Sequence, residues 1–186
     1  MRTRGPVLAA WARAHLREHL GGARAVRPDA AWGAEPAATF VTLRWRDGRL
    51  QGCIGTLAAV RGIVDDVAHH VVAAALHDPR TEPIAIGDID RLDLEISLLS
   101  RLEPIAFASE AELHAAIRPG IDGLVLEHRA TRATLLPVMW EHLPDVAGFL
   151  AALKHKAGLS RTFFDRALRM SRYTAERYVD PAPEAS

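Results

Sequence analysis

The chain has 186 residues, 49% apolar and 25% charged, with 23 basic and 23 acidic side chains. Those values fit one globular domain, with room for a second lobe, and exclude disorder, collagen and a disulfide-stapled scaffold. Zero net charge, 6% aromatic residues and no recognition motif argue against nucleic acid as a partner, and no apolar run approaches the ~20 residues that cross a bilayer.

Residues 5 to 20 read as a helix, with Leu8, Trp11, Ala12, His15 and Leu16 at helical spacing and Gly21-Gly22 ending it. Its start loosely imitates a signal peptide. Arg13, Arg17 and Glu18 follow the short apolar run at once, so a soluble helix is expected. Residues 23 to 37 read as a loop. Val41, Leu43 and Trp45 then alternate with Thr42 and Arg44, and Asp47-Gly48 marks a hairpin turn into a returning strand, Leu50 to Gly55. Residues 39 to 56 are therefore predicted as a hairpin, bent or bulged at Gly52 or Gly55.

Residues 63 to 77 form the next predicted helix, with Val64, Val67, Ala68 and Val71 inward and Asp65 and Asp66 near its positive end. Asp78-Pro79 stops it, because the residue before proline avoids helical backbone. Leu92 to Leu98 is the cleanest alternating strand. Ser109 with Glu112 opens a short helix to Ile117. Residues 123 to 127 and 131 to 136 read as a strand pair. Asp145 caps a helix with Val146, Phe149, Leu150 and Leu153 inward, closed by Gly158. Residues 160 to 179 read ambiguously, as a helical turn and then a strand. The class is α+β with a mostly antiparallel sheet.

The neutral balance conceals an asymmetry. Residues 1 to 27 and 154 to 177 each carry a net +5, and residues 28 to 153 carry −8. If the ends fold together, one lobe is basic and the other acidic. The single cysteine, Cys53, makes a reducing cytoplasm the default location, and the predominance of Arg over Lys, with abundant Ala, suggests a GC-rich bacterial source.

The most unusual segment is Gln51-Gly52-Cys53-Ile54-Gly55-Thr56. Two glycines in a strand need a reason, and close approach of backbone or ligand supplies one. Cys53 is a candidate nucleophile or redox thiol, with Gly52, Gly55 and Thr56 lining a small anion or oxyanion site. The competing reading is a small buried hydrophobe. Neither His69, His70 nor His77 is singled out as its base. His15 and His19 match an inverted zinc-peptidase pattern, but no further ligands accompany them, so no metal is expected. Arg80, in the rigid turn Asp78-Pro79-Arg80, could bind a carboxylate or phosphate. Lys156 sits at a helix end, where a cation is favoured in any case. No cofactor fingerprint is present.

Together these segments resemble the AMMECR domain family, also labelled AmmeMemoRadiSam system protein A. Leu50 to Leu57 resembles its L-R-G-C-I-G-T signature, Asp78-Pro79-Arg80 with Pro83 its D-P-R-F-x-P turn, and Leu94 to Leu99 its I-E-I-S-V-L strand. Gly123 to Leu126, Leu135 to Val138 and Lys156 to Leu159 continue the order over residues 5 to 178. Gln51 stands where the family has Arg, Thr81 replaces an aromatic residue, and Gly120 to Gly123 lacks the Arg and His of G-R-H-G. The resemblance implies a two-lobed fold over residues 5 to 178, with both chain ends in the larger lobe, a central smaller lobe and a tail at 179 to 186. It also implies Memo-type and radical S-adenosylmethionine proteins as partners, while supplying no established reaction. A ligand-binding protein or enzyme subunit with its site at Cys53 and a non-catalytic adaptor are both open. On the first reading, Cys53, Thr56, Arg80 and Lys156 converge on one concave surface between the lobes.

Overall fold

The computed structural model describes residues 3–183, and these form two compact units. One takes the residues up to Leu99 together with those from Glu176 onward, and the other is Ser100–Ala175. All the strand pairings with a described register are antiparallel.

The first unit is built on a sheet of β1 (Pro36–Trp45), β2 (Leu50–Gly55), β4 (Leu92–Leu99) and β9 (Ala175–Asp180), in the order β2-β1-β4-β9. A two-residue strand, β3 (Arg61–Gly62), pairs with the start of β1. Helices α1 (Arg4–His19) and α2 (Ile63–Leu76) bury Leu8, Trp11 and Leu16, and Val64, Val67 and Val71, against Val41, Leu43, Leu94 and Ile96 of the sheet. Each such large side chain removed from water stabilises the fold by about 1.5–3 kcal/mol before entropy is counted. The hairpin turns at Asp47-Gly48 as its sequence requires: Gly48 has φ +85°, open to glycine at little cost, and donates to the Trp45 carbonyl. The ladder shifts between Leu43↔Gly52 and Arg44↔Leu50, so Gln51 is the extra residue of a bulge next to Gly52.

Arg13 is buried in the same unit although it lies on an otherwise apolar helix face. Its guanidinium donates to Asp180 Oδ2 at 2.6 Å and to the Ile89 and Leu92 carbonyls, each at 3.0 Å, joining α1 to the ends of β4 and β9. Strand β9 thus runs through Asp180, two residues into the segment read as a tail.

The second unit has its own sheet, ordered β5-β8-β6-β7, from β5 (Glu103–Ile105), β6 (Gly123–His128), β7 (Thr131–Leu135) and β8 (Arg169–Tyr173). Helices α3 (Glu110–Ala116) and α4 (Val146–Lys156) cover it, burying Leu113, Phe149, Leu150 and Leu153 with Leu124 and Leu126. Trp140 stacks on Phe149 with ring centres 4.0 Å apart. Both predicted helix caps are made: Ser109 accepts from the Glu112 amide at 3.2 Å and Asp145 from the Gly148 amide at 2.7 Å. In Gly120 to Gly123, Asp122 is fully buried and takes both the backbone and the guanidinium of Arg118.

The expected division into one basic and one acidic lobe is not formed. The basic segment at residues 1 to 27 belongs to the first unit, whereas Lys154 to Arg172 belongs to the second. Counted on the sequence, the first unit has 13 basic and 15 acidic residues and the second 10 and 8, so the units differ little in charge. The reason is that residues 100 to 153, with an acidic excess, fold together with the basic segment after them. The ambiguous stretch from 160 resolves into β8 and β9, which serve different sheets.

Candidate functional site

Strand β2 is an edge strand, and edge strands expose unpaired backbone groups that must be covered. The turn after α2 does this with side chains. Asp78 Oδ2 accepts from the Cys53 amide at 2.9 Å, Arg80 Nη2 donates to the Cys53 carbonyl at 3.3 Å, and Thr81 Oγ1 donates to the Gln51 carbonyl. The two motifs that stand 25 residues apart in sequence, Gly-Cys-Ile-Gly and Asp-Pro-Arg, are therefore one structural unit. Asp78 is fully buried and clasps Arg80 in a two-pronged contact, Nε to Oδ1 at 2.8 Å and Nη2 to Oδ2 at 2.6 Å. Arg80's hydrogen bonds outweigh the opposing effect of burial and, with the Cys53 amide, hold the Asp78 carboxyl well below the usual carboxylate range.

Protein atoms crowd the space beside both glycines of this strand. A Cβ on Gly52 would lie 1.9 Å from the Ala74 carbonyl oxygen of α2, and one on Gly55 would lie 2.2 Å from the Phe40 ring and 2.4 Å from the Thr39 carbonyl oxygen. Because side chains alternate along a strand and Gly52 faces α2, Cys53 points to the opposite face of the sheet. There it is half-buried, and its Sγ accepts from Thr42 Oγ1 at 3.2 Å. Arg80 meets Cys53 through the backbone carbonyl. The Thr56 hydroxyl holds the next turn, accepting from the Ala58 amide at 3.1 Å. Lys156 belongs to the second unit, where its ammonium donates to the Thr134 carbonyl at 2.9 Å. The structure thus brings Gly52, Cys53 and Arg80 together, with Thr56 at the end of the same strand.

A pocket of about 590 Å³ opens beside this edge, lined by Trp45, Arg49, Gln51, Arg80, Thr81 and Glu82 among others. The Arg80 side chain is 57% exposed, and Nη1 takes part in none of its bonds to Asp78 or Cys53. Gln51 is buried: its side-chain amide donates to the Glu82 carbonyl at 2.7 Å and accepts from the Trp45 indole at 3.0 Å. It builds the pocket wall rather than adding charge beside the thiol. The Trp45 ring is flanked by the guanidinium carbons of Arg91 and Arg49, 5.2 and 5.8 Å from its centre.

Sequence reasoning missed Trp45 and Glu82 here, because only sheet order and turn geometry bring them to Arg80. It also missed a buried polar group on α2. Thr39 donates to Asp66 Oδ2 through its amide at 3.0 Å and its hydroxyl at 2.7 Å, and His70 Nδ1 lies 3.1 Å from that hydroxyl. Burial works to raise the Asp66 carboxyl, but bonds from His70 and Thr39 outweigh it and leave it below its ordinary value. The i, i+4 spacing of Asp66 and His70 was the readable signal. His15 packs on Trp11 with ring centres 5.1 Å apart, and His19 is exposed on the last turn of α1. Among the described residues no group of three or more His, Cys, Asp or Glu is placed to hold a metal ion, and no helix is long and apolar enough to cross a membrane.

These features define a two-unit α+β protein in which one cysteine-bearing edge strand is clasped by an Asp-Pro-Arg turn. The chain belongs to the AMMECR1 family, whose model matches residues 9–178. It is 35% identical over 182 residues to a protein of Methanothermobacter thermautotrophicus, covering 94% of this chain and 93% of the other. It is 30% identical over 173 residues to one of Thermotoga maritima, covering 90% and 94%. The fold matches the crystal structure of uncharacterized protein PH0010 from Pyrococcus horikoshii with a TM-score of 0.88 and 28% identity, over 96% of this chain and 92% of that one.

Proposed function

We propose that the pocket beside β2 binds a small molecule carrying an anionic group, and that the chain works as a ligand-binding protein with Memo-type and radical S-adenosylmethionine partners. The observation that supports this most is the Arg80 guanidinium: Asp78 fixes it rigidly, and its Nη1 edge is left for a ligand at the rim of a pocket of about 590 Å³. A pre-oriented guanidinium loses little freedom when it accepts a carboxylate or phosphate. The pocket volume suits a small metabolite. Glu82 adds a negative charge that favours a ligand bearing a positive group as well. Turnover at Cys53 is not part of the reading, since the thiol faces Thr42.

The test is an untargeted metabolite-binding screen on wild type, Arg80→Gln and Cys53→Ala in parallel. The reading expects an anionic ligand that wild type and Cys53→Ala retain and Arg80→Gln loses. Retention by all three proteins overturns it. The adaptor reading is favoured by a separate observation: Gly52, Gly55, Asp78, Arg80 and Thr81 all have structural tasks along one strand edge. If the screen returns nothing while a Memo-type or radical S-adenosylmethionine protein co-purifies with the chain, the adaptor reading stands instead.

A further inference from the structure

The second unit has a groove of about 920 Å³ along α3 and α4, and none of its lining residues lines the pocket beside β2. Its walls are unusually bare. Ala111 and Ala115 on α3 are one turn apart, as are Ala147 and Ala151 on α4, so both helices present short side chains to the same space over Leu150. The volume lies in the range of small-molecule sites, which are mostly apolar with a few polar groups that fix orientation.

Those polar groups are present. Lys154 lines the groove yet is only 2% exposed. Its ammonium has three donors, and among the described residues its one bond is to Glu110 Oε1 at 2.6 Å. A buried ammonium with unused donors is costly unless an acceptor reaches it. Arg161 lies exposed in the lining and, among the described residues, joins no ion pair. Lys154 and Arg161 against the one carboxylate of Glu110 leave the groove one positive charge in excess.

From this we infer that the groove is a second binding site, for an amphipathic monoanion: an apolar chain lying over the alanines and Leu150, with its carboxylate turned to Lys154 and Arg161. A hydrocarbon chain suits small apolar walls, and a single anionic head matches the charge excess. A polyanion would meet Glu110, and a cation would meet Lys154.

The experiment is calorimetric titration of the full chain with decanoate, decanol and decyltrimethylammonium, each below its micelle concentration. Two variants accompany wild type. Ala115→Leu/Ala147→Leu fills the groove at two exposed positions and leaves the core untouched. Arg161→Gln removes the exposed cation. Decanoate is expected to bind wild type saturably and one to one. The groove-filled variant should bind at least about tenfold more weakly, as expected when chain burial is blocked. Arg161→Gln should bind about five-fold more weakly, the scale of one exposed ion pair. Decanol should bind more weakly than decanoate, and decyltrimethylammonium most weakly. Equal affinity for the three probes, binding unchanged in the groove-filled variant, or no saturable heat overturns the inference. So does concentration-dependent dimerisation of wild type that Ala115→Leu/Ala147→Leu abolishes, which would assign the groove to a second copy.

Discussion

Gly52→Ala probes why the signature has glycine before cysteine. The added Cβ would sit 1.9 Å from the Ala74 carbonyl oxygen, 2.8 Å from its carbon and 3.2 Å from its Cα. All three atoms are backbone of α2, so no side chain can swing away. Reaching ordinary contact at 3.4 Å requires β2 and α2 to separate by about 1.5 Å. Ala74, Ala75 and Val71 of α2 are fully buried nearby, and that separation would strip contacts from each of them. Overpacking of a rigid site costs about 3 kcal/mol, the upper end of the usual range. At about 2–4 °C per kcal/mol for a chain of this length, Tm should fall by about 6–12 °C. The control is Gly87→Ala, where a Cβ meets nothing within 4 Å and the effect should stay within about 0.5 kcal/mol. Both are read by calorimetric or circular-dichroism melts of the full chain. A Gly52→Ala protein melting with wild type would refute the close-packing explanation and return the glycine to a ligand-approach role.

Asp78 should make folding sensitive to acid. Its carboxyl is held below the ordinary value of about 4, so its contribution is present above that value and lost as pH falls through the depressed one. Asp78→Asn should be less stable at neutral pH and show a flatter loss of stability below pH 4 in urea titrations from pH 2.5 to 7; parallel curves would contradict this. Native Cys53, being half-buried rather than enclosed, should take one iodoacetamide adduct at neutral pH without denaturant, as read by intact mass. A thiol inert until unfolding would show that the β2 face is closed. Because the thiol faces Thr42 and the pocket lies along the strand edge, succinate should leave that labelling rate unchanged, and strong protection would place the ligand on the thiol face. Glu82→Gln should tighten succinate binding by about two- to five-fold, the scale of one exposed like charge, and unchanged affinity would move the ligand away from Glu82.

The elements with strong local patterns were legible in the sequence. The alternation of Leu92 to Leu98, the 3.6-residue spacing in α1 and α2, and Asp47-Gly48 all specify their structures within a few residues of chain. Residues 169 to 180 were not. Arg169 to Tyr173 and Ala175 to Asp180 are strands with polar residues at many positions, and the chain passes from one sheet to the other at Thr174. Only tertiary pairing decides that passage. The short β5 was missed for the same reason, since Glu103 to Ile105 is set by its pairing with β8. At the site, Cys53, Arg80 and the glycines were marked by their unusual residue types. Their partnership was not, because it depends on β2 being an edge strand, which is a property of sheet order. Lys156 was marked by its charge, and it lies at the end of α4 in the second unit, where its ammonium bonds the Thr134 carbonyl.

The central claim, that Arg80 presents a pre-oriented guanidinium to an anionic ligand, is tested most directly by calorimetric titration of succinate into the full chain at low ionic strength. Wild type and Arg80→Gln are compared, with melts confirming that both are folded. The account predicts a saturable isotherm for wild type, weakened at least about tenfold in Arg80→Gln, the loss expected when one charge-assisted hydrogen bond is removed. Superimposable isotherms for the two proteins, or no saturable heat from wild type, would contradict it.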